Sequence, residues 1–199
     1  PQAFDEAHDQ IDENLQYMSK TIDDFRNFYN HNKEPETYDI AEVVRSAVSL
    51  SEAMLKYAKI TVIIKPLEPS YVHNAKNELL QVCMNVLKNA HDALVQERQE
   101  ERTITIDIKP CENSYCLSIE DNAGGVDESI IDKIFDPYFT TKADTHGTGI
   151  GLYMSRSITQ EHLHGGISVE NTSDGARFVI ALPKVDKPAL TPDKEENTL

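Results

Sequence analysis

The 199-residue sequence has no tryptophan and only three cysteines, Cys83, Cys111 and Cys116. An odd number of cysteines without a Cys-x-x-Cys pair argues against both a disulfide framework and a zinc site, so we expect three reduced thiols in a cytoplasmic protein. Basic residues are scarce as well: 19 Lys and Arg face 34 Asp and Glu, and the net charge is −15. Because nucleic acids and anionic membrane surfaces are bound through clustered cations, this balance argues against both kinds of partner.

Long apolar runs are also missing, and no stretch approaches the roughly 18 residues of a membrane span. The chain begins at Pro1 with no secretory signal, which we interpret as a piece of a longer protein whose upstream elements are missing. Residues 184–199 combine prolines and charges with almost no apolar side chains, so we expect a disordered tail there.

Residues 1–33 carry one clear pattern of apolar side chains, spaced alternately four and three residues apart. This heptad spacing predicts a long helix with a narrow apolar seam, of the kind that packs in a coiled coil or a helical bundle. No partner helix is obvious in the rest of the chain, so we expect a second copy or a helix lost upstream. His8 is interpreted as a packing residue of the seam rather than a reactive group. The seam comprises Phe4, His8, Ile11, Leu15, Met18, Ile22, Phe25 and Tyr29.

The remainder of the chain alternates between helical and extended patterns. Apolar stripes with helical spacing predict helices over 41–58, 76–96 and 149–162, and a shorter one over 129–135. Alternation or a short β-branched run predicts strands over 38–40, 60–64, 103–109, 115–120, 166–171 and 177–182. Helices interspersed with strand pairs predict a two-layer α/β sandwich, in which a mixed sheet carries helices on one face.

The helix predicted over 76–96 places three oxygen-bearing side chains along one edge. Asn85 and Asn89 are four residues apart, and Asp92 follows three residues later. An amide within an otherwise apolar face must find partners, and such oxygens suit Mg²⁺, which keeps water and phosphate oxygens as its other ligands. The helix alone leaves an alternative open, in which the Asn pair caps or cross-links loops.

A first glycine-bearing segment follows a predicted strand directly and reads DNAGG over 121–125. The carboxylate of Asp121 could accept a hydrogen bond from an exocyclic amine, and the glycines would let a flat ring approach the backbone. An Asx turn with glycines at positive φ is the alternative.

A second glycine-bearing segment, residues 147–152 (GTGIGL), opens a predicted helix, and the free N–H groups at such a position favour an anion. No strand immediately precedes it and no GK[ST] follows, which argues against a Rossmann site and a P-loop. The stretch 136–147 has the length of a lid, in which Lys142 could supply a cation.

Taken in order, these segments resemble the boxes of the ATP-binding catalytic domain of sensor histidine kinases, within the GHKL (Bergerat-fold) ATPase superfamily. The resemblance implies a partial dimerisation and phosphotransfer helix over 1–33 and an ATP-binding domain over 38–183. The matching segments are 85–93 (NVLKNAHDA, N box), 121–125 (DNAGG, G1 box), 135–142 (FDPYFTTK, F box), 147–152 (GTGIGL, G2 box) and the closing hairpin 175–183 (GARFVIALP).

The resemblance also implies roles for individual residues. Asp121 would bind the adenine amino group and Asn89 would bind Mg²⁺, while Asn85 would contact the phosphates or a metal-bound water. Asn85 and Lys142 are the residues we expect to act in catalysis. Ala123 stands where the G1 box usually has a glycine, and we expect its methyl group to be tolerated. The other expected ATP contacts are Asp92, Ala123, Gly125, Phe139, Lys142, Gly147, Thr148, Gly149, Gly151 and Leu152.

By this resemblance the chain is a kinase of a two-component system, which binds Mg²⁺-ATP and transfers the γ-phosphoryl group to a histidine. No phosphoacceptor motif is present, so the acceptor helix is expected upstream of Pro1, with a response regulator receiver domain and a homodimeric intact protein as partners. The fragment would then be the cytosolic part of a sensor. Two alternatives remain, a GHKL ATPase and a non-catalytic nucleotide-binding module. The ATPases carry a water-activating Glu where this chain has Asn85, and an amide cannot act as a base.

Overall fold

The computed structural model describes residues 34–97, 100–141 and 148–185. The heptad seam and residues 186–199 of the expected tail lie outside these ranges. Within them the helices are α1 (Ile40–Tyr57), α2 (Lys76–Gln96) and α3 (Gly151–Glu161), with a short 3-10 helix at Ile131–Lys133. No helix of the described ranges is long and apolar enough to cross a membrane. The strands are β1 (Glu36–Asp39), β2 (Ile60–Ile64), β3 (Tyr71–Asn74), β4 (Arg102–Pro110), β5 (Ser114–Asp121), β6 (Gly166–Asn171) and β7 (Ala176–Pro183).

Five strands form a mixed sheet in the order β2-β4-β5-β7-β6. The pair β2–β4 is parallel, and the other three neighbouring pairs are antiparallel. The helices and the mixed sheet confirm the predicted two-layer α/β architecture. The sequence prediction omitted β3, which pairs with β1 in a separate two-stranded antiparallel sheet.

The boundary between β1 and α1 is set by Asp39. Its Oδ1 accepts hydrogen bonds from the backbone N–H groups of Ala41 and Ser70, both at 3.1 Å. This N-cap starts the helix at Ile40, which the sequence prediction had assigned to the preceding strand.

The core lies between the helices and one face of the sheet. Along β4, β5 and β7 every second side chain is buried, as expected for strands with one covered face. Fully burying an aliphatic side chain of this size contributes about 1.5–3 kcal/mol, so this layer supplies most of the driving force for folding. Its largest fully buried members are Ile40, Leu79, Leu87, Leu94, Ile104, Ile106, Leu117, Ile119, Ile150, Ile158, Leu163 and Ile180.

The cysteine expectation is wrong at two of the three positions. Cys111 and Cys116 form a disulfide that joins the two arms of the β4–β5 hairpin at its turn. The antiparallel pairing brings their Cα atoms to 6.1 Å, a separation that a disulfide spans, which the count of cysteines could not reveal. Cys83 is the free thiol; it lies buried in α2, and burial raises its pKa to about 12.

Candidate functional site

Asp121 ends strand β5 with its side chain directed into the protein, and it is only 5% exposed. Its Oδ1 accepts hydrogen bonds from the N–H groups of Ala123 at 2.9 Å and Ala176 at 3.4 Å. Burial raises the pKa of this carboxyl, and the two backbone donors oppose that shift only in part. No residue in the described ranges donates a hydrogen bond to Oδ2. One oxygen therefore anchors the side chain, and the other is not engaged by a described residue.

The loop after Asp121 lies against the turn that joins β6 and β7. Gly124 donates its N–H to the Asp174 carbonyl at 2.9 Å, and Gly124 and Gly125 have φ values of +84° and +90°. At Gly175 a Cβ atom would lie 1.9 Å from the Asp121 carbonyl oxygen, so the two backbones approach as closely as glycine permits. Ala123 has no positive φ and is buried in the core, which explains why a methyl group fits there.

A further residue of this region escaped the sequence analysis. The side chain of Asn171, at the end of β6, bonds both backbone groups of Val126. No motif or spacing in the sequence linked Asn171 to the loop that begins at Asp121, because the pairing depends on how β6 is placed beside β7.

The two predicted amides on α2 have different environments. Asn85 donates from Nδ2 to the Ser155 hydroxyl at 2.8 Å, and its Oδ1 would lie 2.6 Å from a Cβ atom on Gly151. It therefore cross-links α2 to the first turns of α3. Asn89, one turn further along, has a buried Nδ2 with no hydrogen-bond partner among the described residues. A buried amide left unpaired costs about 1–3 kcal/mol, unless a ligand completes it.

Asp92 lies at the far end of this edge of α2 and is paired within its own helix. Its carboxylate contacts Lys88 Nζ at 3.1 Å and His91 Nδ1 at 3.0 Å. The structure thus gives Asp92 two local partners on its own helix.

The F box and the G2 box contact each other through the backbone at Tyr138 and Gly149. Gly149 has φ +64°, and a Cβ atom there would lie 2.4 Å from the Tyr138 carbonyl carbon and 2.8 Å from the Phe139 nitrogen. Thr148 is buried, and its Oγ1 accepts a hydrogen bond from the Ile150 N–H at 3.4 Å. Phe139 and Leu152 pack partly buried against the core. Lys142 and Gly147 lie outside the described residues.

The side chains of the candidate site can be compared with the ligands that Mg²⁺ requires. In the described ranges, no group of three or more His, Cys, Asp or Glu side chains could hold a metal ion. A single amide oxygen supplemented by water and phosphate oxygens is, however, a set that Mg²⁺ accepts. Asn89 carries such an oxygen on a side chain whose buried Nδ2 has no partner among the described residues, whereas the Asn85 side chain is tied to α3 through its Nδ2.

Comparisons with known proteins decide the family. A profile described as histidine kinase-, DNA gyrase B- and HSP90-like ATPase matches residues 74–186. The chain belongs to this ATPase family. The match runs from the end of β3 past β7 and contains the Asn pair of α2, Asp121 and both glycine segments. It confirms the resemblance to the ATP-binding domain of sensor histidine kinases.

The curated relatives of this ATPase domain are sensor proteins. The two-component sensor PprA of Pseudomonas aeruginosa is 32% identical over 137 residues, which cover 67% of this chain and 15% of PprA. The signal transduction histidine-protein kinase AtoS of Escherichia coli K12 is 44% identical over 112 residues, which cover 55% of this chain and 17% of AtoS. The chain thus spans only a small part of these relatives.

Solved structures of histidine kinases share the fold. The catalytic domain of histidine kinase ThkA is 28% identical with a TM-score of 0.68, and the match covers 76% of this chain and 97% of that domain. ThkA in complex with the response regulator TrrA gives a TM-score of 0.70 at 22% identity, covering 88% of this chain and 49% of that one. Together with the mixed sheet, these likenesses confirm the Bergerat fold.

Proposed function

We propose that this chain is the catalytic part of a protein-histidine kinase, which binds Mg²⁺-ATP and transfers the γ-phosphoryl group to a histidine on an acceptor helix. Residues 38–183 would form the ATP-binding domain, and residues 1–33 would contribute one helix to a dimerisation bundle. The sensor and histidine-kinase names of the relatives support this over the other activities of the family.

The observation that carries the proposal is the free oxygen of a buried carboxylate. Asp121 holds its Oδ1 on two backbone N–H groups, which fixes the direction of Oδ2. A fixed acceptor in a buried position selects a ligand with an N–H donor, because a ligand without one would leave the carboxylate unpaired. The exocyclic amino group of adenine is such a donor, and the glycines at positive φ in the loop beside it would let a flat ring approach the backbone.

The phosphates would lie along the edge of α2 towards the start of α3. Asn89 would hold Mg²⁺ through its amide oxygen, and its orphaned Nδ2 would donate to a phosphate oxygen. Asn85 would form the wall of the site at Gly151, and Thr148, Gly149 and Lys142 would lie near the phosphates. Bound Mg²⁺ supplies neutralisation of the charge that develops on the phosphate oxygens.

In the transfer, the bond between the γ-phosphorus and the oxygen that bridges to the β-phosphate breaks as a bond from the acceptor imidazole nitrogen forms, and ADP leaves. The residues of this chain would orient and hold the nucleotide, and none of them is required as a base. The absence of a carboxylate at Asn85 disfavours direct activation of water, which is the chemistry of the alternative ATPase function.

The partners follow from the same proposal. ThkA has been solved with the response regulator TrrA, and a receiver domain is the corresponding partner expected for this chain. The heptad seam in 1–33 supports a homodimer in the intact protein, and the excess of acidic residues argues against nucleic-acid partners.

The test is an ATP titration followed by a transfer assay. Calorimetry of the whole chain with ATP, GTP and tripolyphosphate, each with Mg²⁺ and with chelator, should give Mg²⁺-dependent binding of ATP in preference to GTP. Labelled ATP should then label a supplied acceptor-helix peptide but not the same peptide with its histidine changed to alanine. Absence of ATP binding would refute the proposal. Release of phosphate without label on the acceptor would favour the ATPase, and binding with neither outcome would favour the non-catalytic module.

A further inference from the structure

Asn171 commits its side chain to the backbone of a residue 45 positions earlier. Its Oδ1 accepts the Val126 N–H at 2.8 Å, and its Nδ2 donates to the Val126 carbonyl at 2.7 Å. The amide thereby satisfies both backbone groups of one residue, as a neighbouring strand would. Val126 follows Gly124 and Gly125, so this two-way pairing closes the end of the loop that begins at Asp121.

We propose that Asn171 is a positioning residue for the adenine site, acting through the 121–126 loop; this inference rests on the ATP binding proposed above. The loop is held to the β6–β7 hairpin at two points, by the Gly124 N–H on the Asp174 carbonyl at 2.9 Å and by Asn171 on Val126. The Asp121 carboxylate receives the Ala176 N–H from the same turn. The β6–β7 hairpin therefore fixes the positions of both the Asp121 carboxylate and the loop beside it.

The Asn171 amide also lies directly against the backbone of Gly125. A Cβ atom on Gly125 would lie 2.7 Å from Asn171 Oδ1, so the amide fills the space beside this backbone. With two glycines at positive φ, the loop has many conformations available once the amide is removed. A ring that binds next to it would then have to order the loop, and affinity would fall.

Because Asn171 lies outside the buried core, its effect on ATP binding can be measured with little effect on the stability of the fold. The residue is exposed and contributes nothing to the buried core, so truncating it removes the pairing with Val126 and little else. Ser173 offers a matched control, since it is exposed in the same turn and its side chain makes no hydrogen bond to a described residue.

The experiment compares Asn171→Ala, Asn171→Asp and Ser173→Ala with the wild-type chain, using calorimetric titration with ATP and with tripolyphosphate, and thermal unfolding. Asn171→Ala should weaken ATP by about tenfold, as expected for lost hydrogen bonds, and leave tripolyphosphate affinity unchanged. Asn171→Asp keeps the acceptor for the Val126 N–H but sets a second oxygen against the Val126 carbonyl. It should therefore also bind ATP more weakly at neutral pH and approach wild type, measured at the same pH, as the new carboxyl is protonated.

Three results would overturn the inference. The first is wild-type ATP affinity in Asn171→Ala, and the second is an equal loss for ATP and tripolyphosphate, which would indicate general destabilisation. The third is an equal loss in Ser173→Ala, which would assign the effect to the turn as a whole. The wild-type chain is titrated with ATP before any variant is made. If it binds no ATP, both the proposed function and this inference are refuted.

Discussion

The Asn85 amide donates to the Ser155 hydroxyl at 2.8 Å, and this bond ties the middle of α2 to the second turn of α3. Ser155 is 2% exposed, and Gly151, one turn before it, faces the same amide. The helix that begins within the GTGIGL segment is thus fixed to the helix that carries Asn89. A partly buried polar bond between two helices specifies how they align, because each partner is costly to leave unpaired.

Changing Ser155 to alanine is expected to loosen this alignment. Asn85 Nδ2 would lose its acceptor, which costs about 1 kcal/mol and lowers the unfolding midpoint by several degrees. Phosphoryl transfer should fall further than ATP affinity, because α3 begins in the segment that we propose to lie near the phosphates. Thermal unfolding, titration and the transfer assay measure the three effects. Ser157→Ala on the same helix is the control, since Ser157 makes no side-chain hydrogen bond to a described residue; similar behaviour of the two variants would contradict the role of the bond.

Changing Asp121 to asparagine should separate stability from binding. Burial raises the folded-state pKa of this carboxyl above 3.8, so the folded protein holds the proton more tightly than the unfolded chain, and ionisation at neutral pH destabilises the fold. The variant should therefore unfold at a higher temperature at neutral pH. That gain should shrink as pH falls through the raised pKa towards 3.8 and vanish below it. Unfolding scans across this pH range measure the change. A variant less stable than wild type at neutral pH would contradict the predicted stabilisation.

The same variant should bind ATP much more weakly than wild type while keeping its affinity for tripolyphosphate. The reason is that an amide at this position presents a donor where adenine also presents one. Calorimetric titration distinguishes the two ligands, and an equal loss for both would contradict adenine recognition by Asp121.

Two glycines of the last hairpin provide a paired test of the contact beneath the site. Gly175→Ala would force a Cβ atom to 1.9 Å from the Asp121 carbonyl oxygen, whereas a Cβ atom on Gly166 meets nothing within 4 Å. We expect Gly175→Ala to lower both the unfolding midpoint and ATP affinity. Gly166→Ala should leave ATP affinity unchanged and the midpoint unchanged or slightly raised. Equal midpoints for the two variants would show that the turn relaxes without cost.

Asn89→Ala tests the proposed magnesium ligand. Removal of a buried amide nitrogen that has no partner should not destabilise the nucleotide-free protein. The variant should lose the part of the ATP affinity that depends on Mg²⁺, so that titrations with the metal and with chelator coincide. Asn77→Ala, in the first turn of the same helix, is the matched control and should keep the metal dependence. A persistent response to Mg²⁺ in Asn89→Ala would rule out Asn89 as the ligand.

Local patterns in the sequence were sufficient for the long elements. The apolar stripe of α2 and the β-branched run of β2 gave both elements with their correct ends, because burial on one face imposes a regular spacing. Strand β3 was missed because it spans only Tyr71–Asn74 and is stabilised by pairing with β1 rather than by its own pattern. The same limit applies to the disulfide, which depends on the register of a hairpin.

The sequence predicted those parts of the candidate site in which a local chemical requirement selects one residue type, such as glycine at a positive φ. Asp121 and the left-handed glycines follow from local chemistry, and the sequence placed them correctly after a strand. Other contacts of the site join residues that are far apart in the sequence, so no local pattern predicts them. They are made by Ser155, Asn171 and Gly175. The resemblance gave Asn89 the Mg²⁺ and Asp92 a contact with ATP. The structure adds that the Asn89 Nδ2 has no partner among the described residues, whereas the Asp92 carboxylate is paired with Lys88 and His91.

The backbone contact between Tyr138 and Gly149 has a consequence for how this domain can be altered. A segment whose two ends already touch can change in length without moving either anchor, and the entropy of closing a loop rises by only about 0.6 kcal/mol for each doubling of its length. Inserting residues between these positions, with Phe139 and Thr148 kept, should therefore be a mild perturbation of the scaffold. This makes the interval a suitable place to graft a reporter peptide while the sheet and helices stay as they are.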